Sequence, residues 1–244
     1  MTRYVASKWR KTAALTKTRA LSRYVPETQR MNKTSLFDCL KRYGMVYIKP
    51  EFGSFGNGVM RVERLESGYR FQLGKTIRTF AQYGPMYQSL VRQTGGKRYL
   101  VQKGIRLLEH DGRKFDIRVM VQLSPSRTWE TTGIIGRVAA KGKIVTNYHS
   151  GGKIVSATRL LKAYSSQPES KLLALAKLGV QAGQAMQSAF PGIHVIGLDI
   201  AMDETMHPWI LEVNTCPDPY IFKKHPDPGV FKKIMQYSKA YPKK

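Results

Sequence analysis

Residues 196–215 read IGLDIAMDETMHPWILEVNT. The apolar runs IGLDIAMD and PWILEVNT, with a polar turn between them, predict two antiparallel strands. Side chains alternate along a strand, so Glu212 and Asn214 share one face. With Asp199 opposite them, two carboxylates and an amide converge beside Ile210, Leu211 and Val213. Carboxylates that close, in apolar surroundings, repel unless a cation lies between them. An all-oxygen donor set from few side chains suits magnesium, which keeps positions open for water and phosphate. A solvent-exposed hairpin with scattered acids is the plain alternative.

Composition narrows the choices. The 244 residues suffice for one large domain or two small ones, and 42% hydrophobic content supports an ordinary core. The chain carries 41 Lys and Arg against 16 Asp and Glu, a net charge of +25. Such a surface gathers polyanions, whether nucleotide, nucleic acid, cell-wall polymer or acidic polypeptide. Cys39 and Cys216 are far apart and have no metal-ligand spacing, which argues against a disulfide framework. No run approaches the ~18 apolar residues of a membrane span. The basic N-terminus lacks the apolar core of a secretory signal, so a cytoplasmic location is expected.

Residues 1–43 hold eleven Lys or Arg but only two acids, Glu27 and Asp38. Val5, Trp9, Leu15 and Leu21 predict a weakly amphipathic basic helix, ended by Pro26; a second helix is expected over 33–43. This extension reads either as a nucleic-acid or membrane-surface arm or as a solvated helix packed on the main domain through Trp9. From Met45 the pattern changes: strands MVYIK, VMRVERL and GYRFQL, a helix over 75–94 interrupted near Gly84-Pro85, and strands at 99–105, 114–123 and 128–140. A long helix spans about 168–190, with Leu173, Ala176, Val180, Gly183, Met186 and Phe190 as its buried face. The strand pair at 195–215 and a helix from about 228 follow. Strands and helices interleave through mostly short connections, which gives an α+β fold rather than a doubly wound parallel sheet.

Three further features carry chemistry. The loop Gly53-Ser54-Phe55-Gly56-Asn57-Gly58 joins two strands, not a strand and a helix, so it is no Rossmann fingerprint or P-loop. A glycine-rich hairpin can instead fold over a nucleotide, as in protein kinases, with Lys49 aimed at the same phosphates. Asp116-Ile117-Arg118 sets two charges on one strand face, and Arg137 follows on the next strand, ahead of Asn147 and Gly151-Gly152. A strand-borne arginine suits bidentate contact with a phosphoryl group or a carboxylate. Taken alone, Asp116 and Arg118 read as a surface ion pair of little weight. The five histidines form no zinc-like spacing; His149 in the 147–152 loop reads either as a substrate contact or as a plain loop residue.

The ordered series YIKP, GSFGNG, VQKGI, FDIRV, GRVA, TNYHSGG, GLDI and LEVN resembles the ATP-grasp superfamily over residues 44–220. FDIRV through LEVN is similar to the RimK-type ligases; SKWRKT, YVPET and VYIKPEFGSFGNGVMRV resemble the YheC/YheD family, associated with bacterial endospore coats. The resemblance implies an ATP-grasp fold of two α+β subdomains: a small nucleotide-covering one over about 44–105, a metal and acceptor one over about 106–244, and residues 1–43 as a basic helical extension. It implies ATP and Mg2+ as cofactors. Lys49 would bind phosphates under a loop containing Gly53, Ser54, Gly56 and Gly58. Gln102, Lys103 and Ile105 would form the adenine-reading hinge, with Lys103 where many members carry an acid. Arg118, Arg137 and Asn147 would serve the transferring phosphoryl group and its acceptor; Asp199, Glu212 and Asn214 would hold magnesium. The implied activity is ATP-dependent carboxylate–amine ligation through an acylphosphate, in a cytoplasmic or spore-associated setting; the carboxylate and amine stay open, a peptide or anionic polymer among the candidates. The chain begins almost at the ATP-grasp core, so the additional N-terminal domain of typical members is expected to be absent. The alternatives are a catalytically silent nucleotide-binding structural protein, or a nucleic-acid-binding protein using the basic arm.

Overall fold

The computed structural model describes residues 4–241; within that range the side chain of His149 lies outside the described residues. Two antiparallel sheets form the framework. The first has the order β1-β6-β2-β3-β4-β5, built from β1 (Thr28–Arg30), β2 (Met45–Pro50), β3 (Met60–Leu65), β4 (Gly68–Leu73), β5 (Thr76–Phe80) and β6 (Tyr99–Lys103). Helices α3 (Lys33–Tyr43) and α4 (Tyr83–Thr94) cover one face, burying Leu36, Leu40, Met86 and Leu90 against Val46, Ile48, Val62 and Phe71. An Asn32–Ser35 capping box starts α3, and Gly44, at φ +70°, turns the chain directly into β2.

The second sheet has the order β10-β9-β8-β11-β12, from β8 (Arg113–Leu123), β9 (Trp129–Val138), β10 (Lys153–Val155), β11 (Val195–Met202) and β12 (Pro208–Asn214); β7 (Glu109–His110) pairs with β8. Phe115, Ile117, Val119, Val121 and Leu123 of β8 face a core closed by α5 (Ala157–Lys162) and α6 (Pro168–Ala189). Glycine lets α6 lie this close: a Cβ on Gly183 would stand 2.5 Å from the Trp129 ring. On the other face, α7 (Pro228–Ala240) and the turn Tyr220–Lys224 cover Met120 and Ile135 with Phe222 and Ile234. The Asp116–Arg118 end of that face is left open to a cleft.

Three expectations are corrected. Residues 76–80 are a strand, not the start of a helix, because Gly74 at φ +62° turns β4 back into a hairpin and TIRTF is β-branched and aromatic. Helix α4 starts only at Tyr83, where Pro85 falls in the first turn and needs no amide partner. The buried face of α6 keeps Gly183, Met186 and Phe190 as expected but otherwise runs through Leu175, Leu178, Gly179 and Ala182; Leu173 is 58% exposed. Alanine and glycine, weak hydrophobic signals, hold the inner positions. Finally, β6 ends at Lys103 rather than 105.

Residues 4–43 are built into the molecule. Strand β1 pairs with β6, and α3 belongs to the first core, although both lie within the 1–43 segment expected as an extension. Helices α1 (Lys8–Lys17) and α2 (Arg19–Ser22) dock on the second half, where Val5, Leu15 and Leu21 enter the core. Trp9, the expected anchor, instead lies half-buried under the Arg30 guanidinium.

Candidate functional site

The two sheets face each other across a cleft of about 420 Å³. One wall is the exposed face of β2 and β6. Period-2 alternation there sends Val46 and Ile48 into the core and turns Tyr47, Lys49 and Gln102 to the cleft. Lys49 donates to Gln102 Oε1 at 2.6 Å and to the Leu211 carbonyl at 3.3 Å, and so spans the cleft. Burial pushes its ammonium below the ordinary lysine range, while the Glu212 carboxylate opposes that shift.

The other wall comes from β8, β9, β11 and β12. Asp199 pairs in register with Glu212 across the hairpin and with Arg118 across β8, while Asp116 pairs with Arg137. Arg137 grips Asp116 through Nε at 2.8 Å and Nη2 at 2.5 Å, and its Nη2 also reaches Asp199 at 3.0 Å. Arg118 Nε donates to Asp199 at 2.6 Å, and Thr146 donates to Asp116 at 2.8 Å. Asn214 Nδ2 points at Asp199 Oδ2 from 3.5 Å. Burial disfavours charge on Asp199, but Arg118 and Arg137 outweigh it and hold the carboxyl at about 2.

Asp116 and Arg118 are therefore not a surface pair: each is buried, and each pairs across the sheet with another residue. Nor do the carboxylates depend on a metal for compensation. Arginines neutralise Asp199, and the Lys8 ammonium lies 3.6 Å from Glu212. Among the described residues no group of three or more His, Cys, Asp or Glu could hold a metal ion by itself. Two carboxylates and an amide are nonetheless the oxygen-donor chemistry that magnesium takes when phosphate and water supply the rest of its shell.

Of the residues expected at the site, Lys49, Ser54, Gly56, Gln102, Lys103, Ile105, Arg118, Arg137, Asn147, Asp199, Glu212 and Asn214 line the cleft; Gly53 and Gly58 do not. Those two shape the loop at φ +129° and +73°, and a Cβ on Gly58 would lie 2.7 Å from the Tyr99 hydroxyl. The loop reaches the opposite wall through Gly56 against Val145 and through Ser150 donating to the Phe55 carbonyl at 3.3 Å. Lys103 lays its ammonium 4.5 Å from the Trp209 ring centre. Sequence reasoning missed Tyr47, Thr146, the 216–221 rim, and Lys8 and Lys11 beneath Glu212. For the two lysines a signal existed: positions 8, 11 and 15 share one face of α1, and all three are buried.

Two antiparallel α+β halves closing on a cleft, a lysine on one wall and a carboxylate–arginine cluster on the other, define a protein of the ATP-grasp fold. The YheC/D-like ATP-grasp family model matches residues 1–243, and the chain belongs to that family. It is 26% identical over 231 residues to the endospore coat-associated protein YheD of Bacillus subtilis (strain 168), covering 91% of this chain and 50% of YheD. To YheC of the same organism it is 20% identical, over 88% of this chain and 61% of YheC. The chain thus spans about half the length of YheD. The crystal structure of D-cycloserine synthetase DcsG matches 97% of this chain and 70% of its own, with TM-score 0.61 at 13% identity. The C-terminal domain of K. lactis Pby1, an ATP-grasp enzyme, matches 96% of this chain and 72% of its own, with TM-score 0.52 at 16% identity. These two likenesses show the fold. No helix among the described residues is long and apolar enough to cross a membrane.

Proposed function

We propose that the cleft binds Mg-ATP and that the chain is an ATP-dependent carboxylate–amine ligase. The observation that carries this reading is the meeting of Lys49 from the first sheet with Arg118, Arg137, Asp199, Glu212 and Asn214 from the second, around one 420 Å³ space. That volume lies in the usual range for small-molecule sites. ATP binding is what membership of an ATP-grasp family implies.

Lys49 would meet the phosphates, and the 53–58 loop would lie over them. The backbone of Gln102 to Ile105 would read the base edge. Asp199, Glu212 and Asn214 would hold magnesium, which when bound supplies positive charge to the phosphate oxygens. Arg118 and Arg137 are fixed by carboxylates before any ligand arrives, so their charge needs no reorganisation to meet the phosphoryl group. Asn147, which lines the cleft, would touch the acceptor.

The γ-phosphoryl group would pass to a substrate carboxylate oxygen, releasing ADP. An amine would then attack the acyl carbon, with loss of phosphate and a proton. No protein nucleophile is required, because positioning and electrostatics supply the acceleration.

ADP release screened against amino acids, peptides and acidic polymers tests this reading. A substrate-dependent rate that falls on the order of 10²-fold in Glu212→Gln supports the assignment. A protein that Mg-ATP stabilises but that turns over with no acceptor is a nucleotide-binding structural protein, the reading favoured by the endospore coat-associated names of YheD and YheC. The nucleic-acid reading loses part of its footing, since Lys8 and Lys11 of the basic arm are buried rather than displayed.

A further inference from the structure

The start of helix α1 is fastened to both walls of the cleft. On the glycine-loop side, Ser7 Oγ donates to Glu51 Oε1 at 2.6 Å and the Lys8 amide donates to the Glu51 carbonyl at 3.0 Å. The Lys8 ammonium then donates to the Gly53 carbonyl at 2.6 Å. On the metal-ligand side, the same ammonium lies 3.6 Å from Glu212 Oε1, and the Val5 amide donates to Thr215 Oγ1 at 2.9 Å. Lys8 is 8% exposed and Lys11, which lines the small cavity behind Glu212, is 5% exposed. A lysine carries a flexible four-carbon stem that is normally left in water, so burying one calls for a reason. Here the reason is geometric: one cation bridges the first residue of the glycine loop and a carboxylate on the opposing strand.

We propose that Lys8 is a positioning residue of the nucleotide site, fixing the root of the 53–58 loop relative to Glu212. Without it the tie between the Gly53 carbonyl and Glu212 is lost, so the loop root and the Glu212 carboxylate must be ordered relative to each other when nucleotide binds. The inference rests on the nucleotide-site reading above. It adds a third element, the N-terminal helix, to a cleft otherwise built by the two sheets.

The test is the affinity for Mg-ATP, measured by calorimetric titration, in the wild type, Lys8→Met, Glu212→Gln and the double variant. Lys17→Met, an exposed charge loss on the same helix, serves as control. Lys8→Met should weaken Mg-ATP binding about tenfold, and the control should not. Because Lys8 acts through Glu212, the two single losses should not add in the double variant, whereas a merely structural role would give additive losses. Lys8→Arg keeps the cation and should recover most of the affinity. If Lys8→Met folds poorly, a Lys8→Arg protein with the full tenfold loss overturns the proposal. Wild-type affinity in Lys8→Met, or strictly additive losses, overturns it as well. A wild-type protein that binds no Mg-ATP would instead defeat the nucleotide-site reading itself.

Discussion

Replacing Arg137 by Met should be the most damaging single change in the cleft, and its magnitude follows from the network around it. Arg137 is 3% exposed and supplies two hydrogen bonds to Asp116 and a third contact, at 3.0 Å, to Asp199. Methionine fills much of the same volume but removes the charge. Asp199 keeps Arg118, while Asp116, 2% exposed, keeps the Thr146 hydroxyl but no hydrogen-bonded cation among the described residues. Stripping one partner from a buried pair costs about 3–5 kcal/mol, because the remaining charge stays desolvated. At about 2–4 °C per kcal/mol for a chain of this size, the melting temperature should fall by about 6–20 °C. Differential scanning calorimetry without nucleotide reads this directly. Adding Asp116→Asn to Arg137→Met should restore at least half of the loss, since the stranded charge is then gone. A fall of less than ~3 °C, or no recovery in the double variant, would refute the claim that these charges are buried and mutually dependent.

Glu212→Gln should behave oppositely. Its side chain is 24% exposed and Lys8 keeps the Gly53 carbonyl, so the melting temperature should fall less than in Arg137→Met while ADP formation drops on the order of 10²-fold. Full ATPase activity in that variant would remove Glu212 from the mechanism. Gly58→Ala should cost at least about 1–2 kcal/mol in urea unfolding, because φ is +73° and the new Cβ would press on the Tyr99 hydroxyl. Asp199 sets an acid limit. Its carboxyl is depressed to about 2, below the unfolded value, so its contribution is complete above about pH 4 and is lost as pH falls towards 2. Asp199→Asn should flatten that part of the stability profile; an unchanged profile would contradict the pairing.

The sequence disclosed the hairpin at 196–215 because its alternation is strong and its acids stand out in a chain with few of them. The register of Asp199 opposite Glu212 was not legible: counting out from the turn sets Leu211 opposite Asp199, and a bulge between Asp199 and Ile200 brings Glu212 there instead. Lys49 and the glycine loop were legible from a strand, a lysine and glycines in close order. The partners were not. That Arg118 serves Asp199 while Arg137 serves Asp116 depends on β11 pairing with β8 from some 80 residues away. Strand β5 was concealed by a helix-like run continuing into α4, and the small residues of α6 hid its true inner face. Lys8 and Lys11 were hidden by their own chemistry, since lysines in a basic arm read as solvated unless the packing places a carboxylate beneath them.

The central claim is that the cleft is a Mg-ATP site, and the melting temperature of the wild-type protein against Mg-ATP tests it most directly. At a hundredfold excess over Kd, binding to the folded state alone adds about 2.7 kcal/mol, a rise of about 5–11 °C. That rise should need magnesium and should shrink in Glu212→Gln. A melting temperature unmoved by millimolar Mg-ATP would contradict the account.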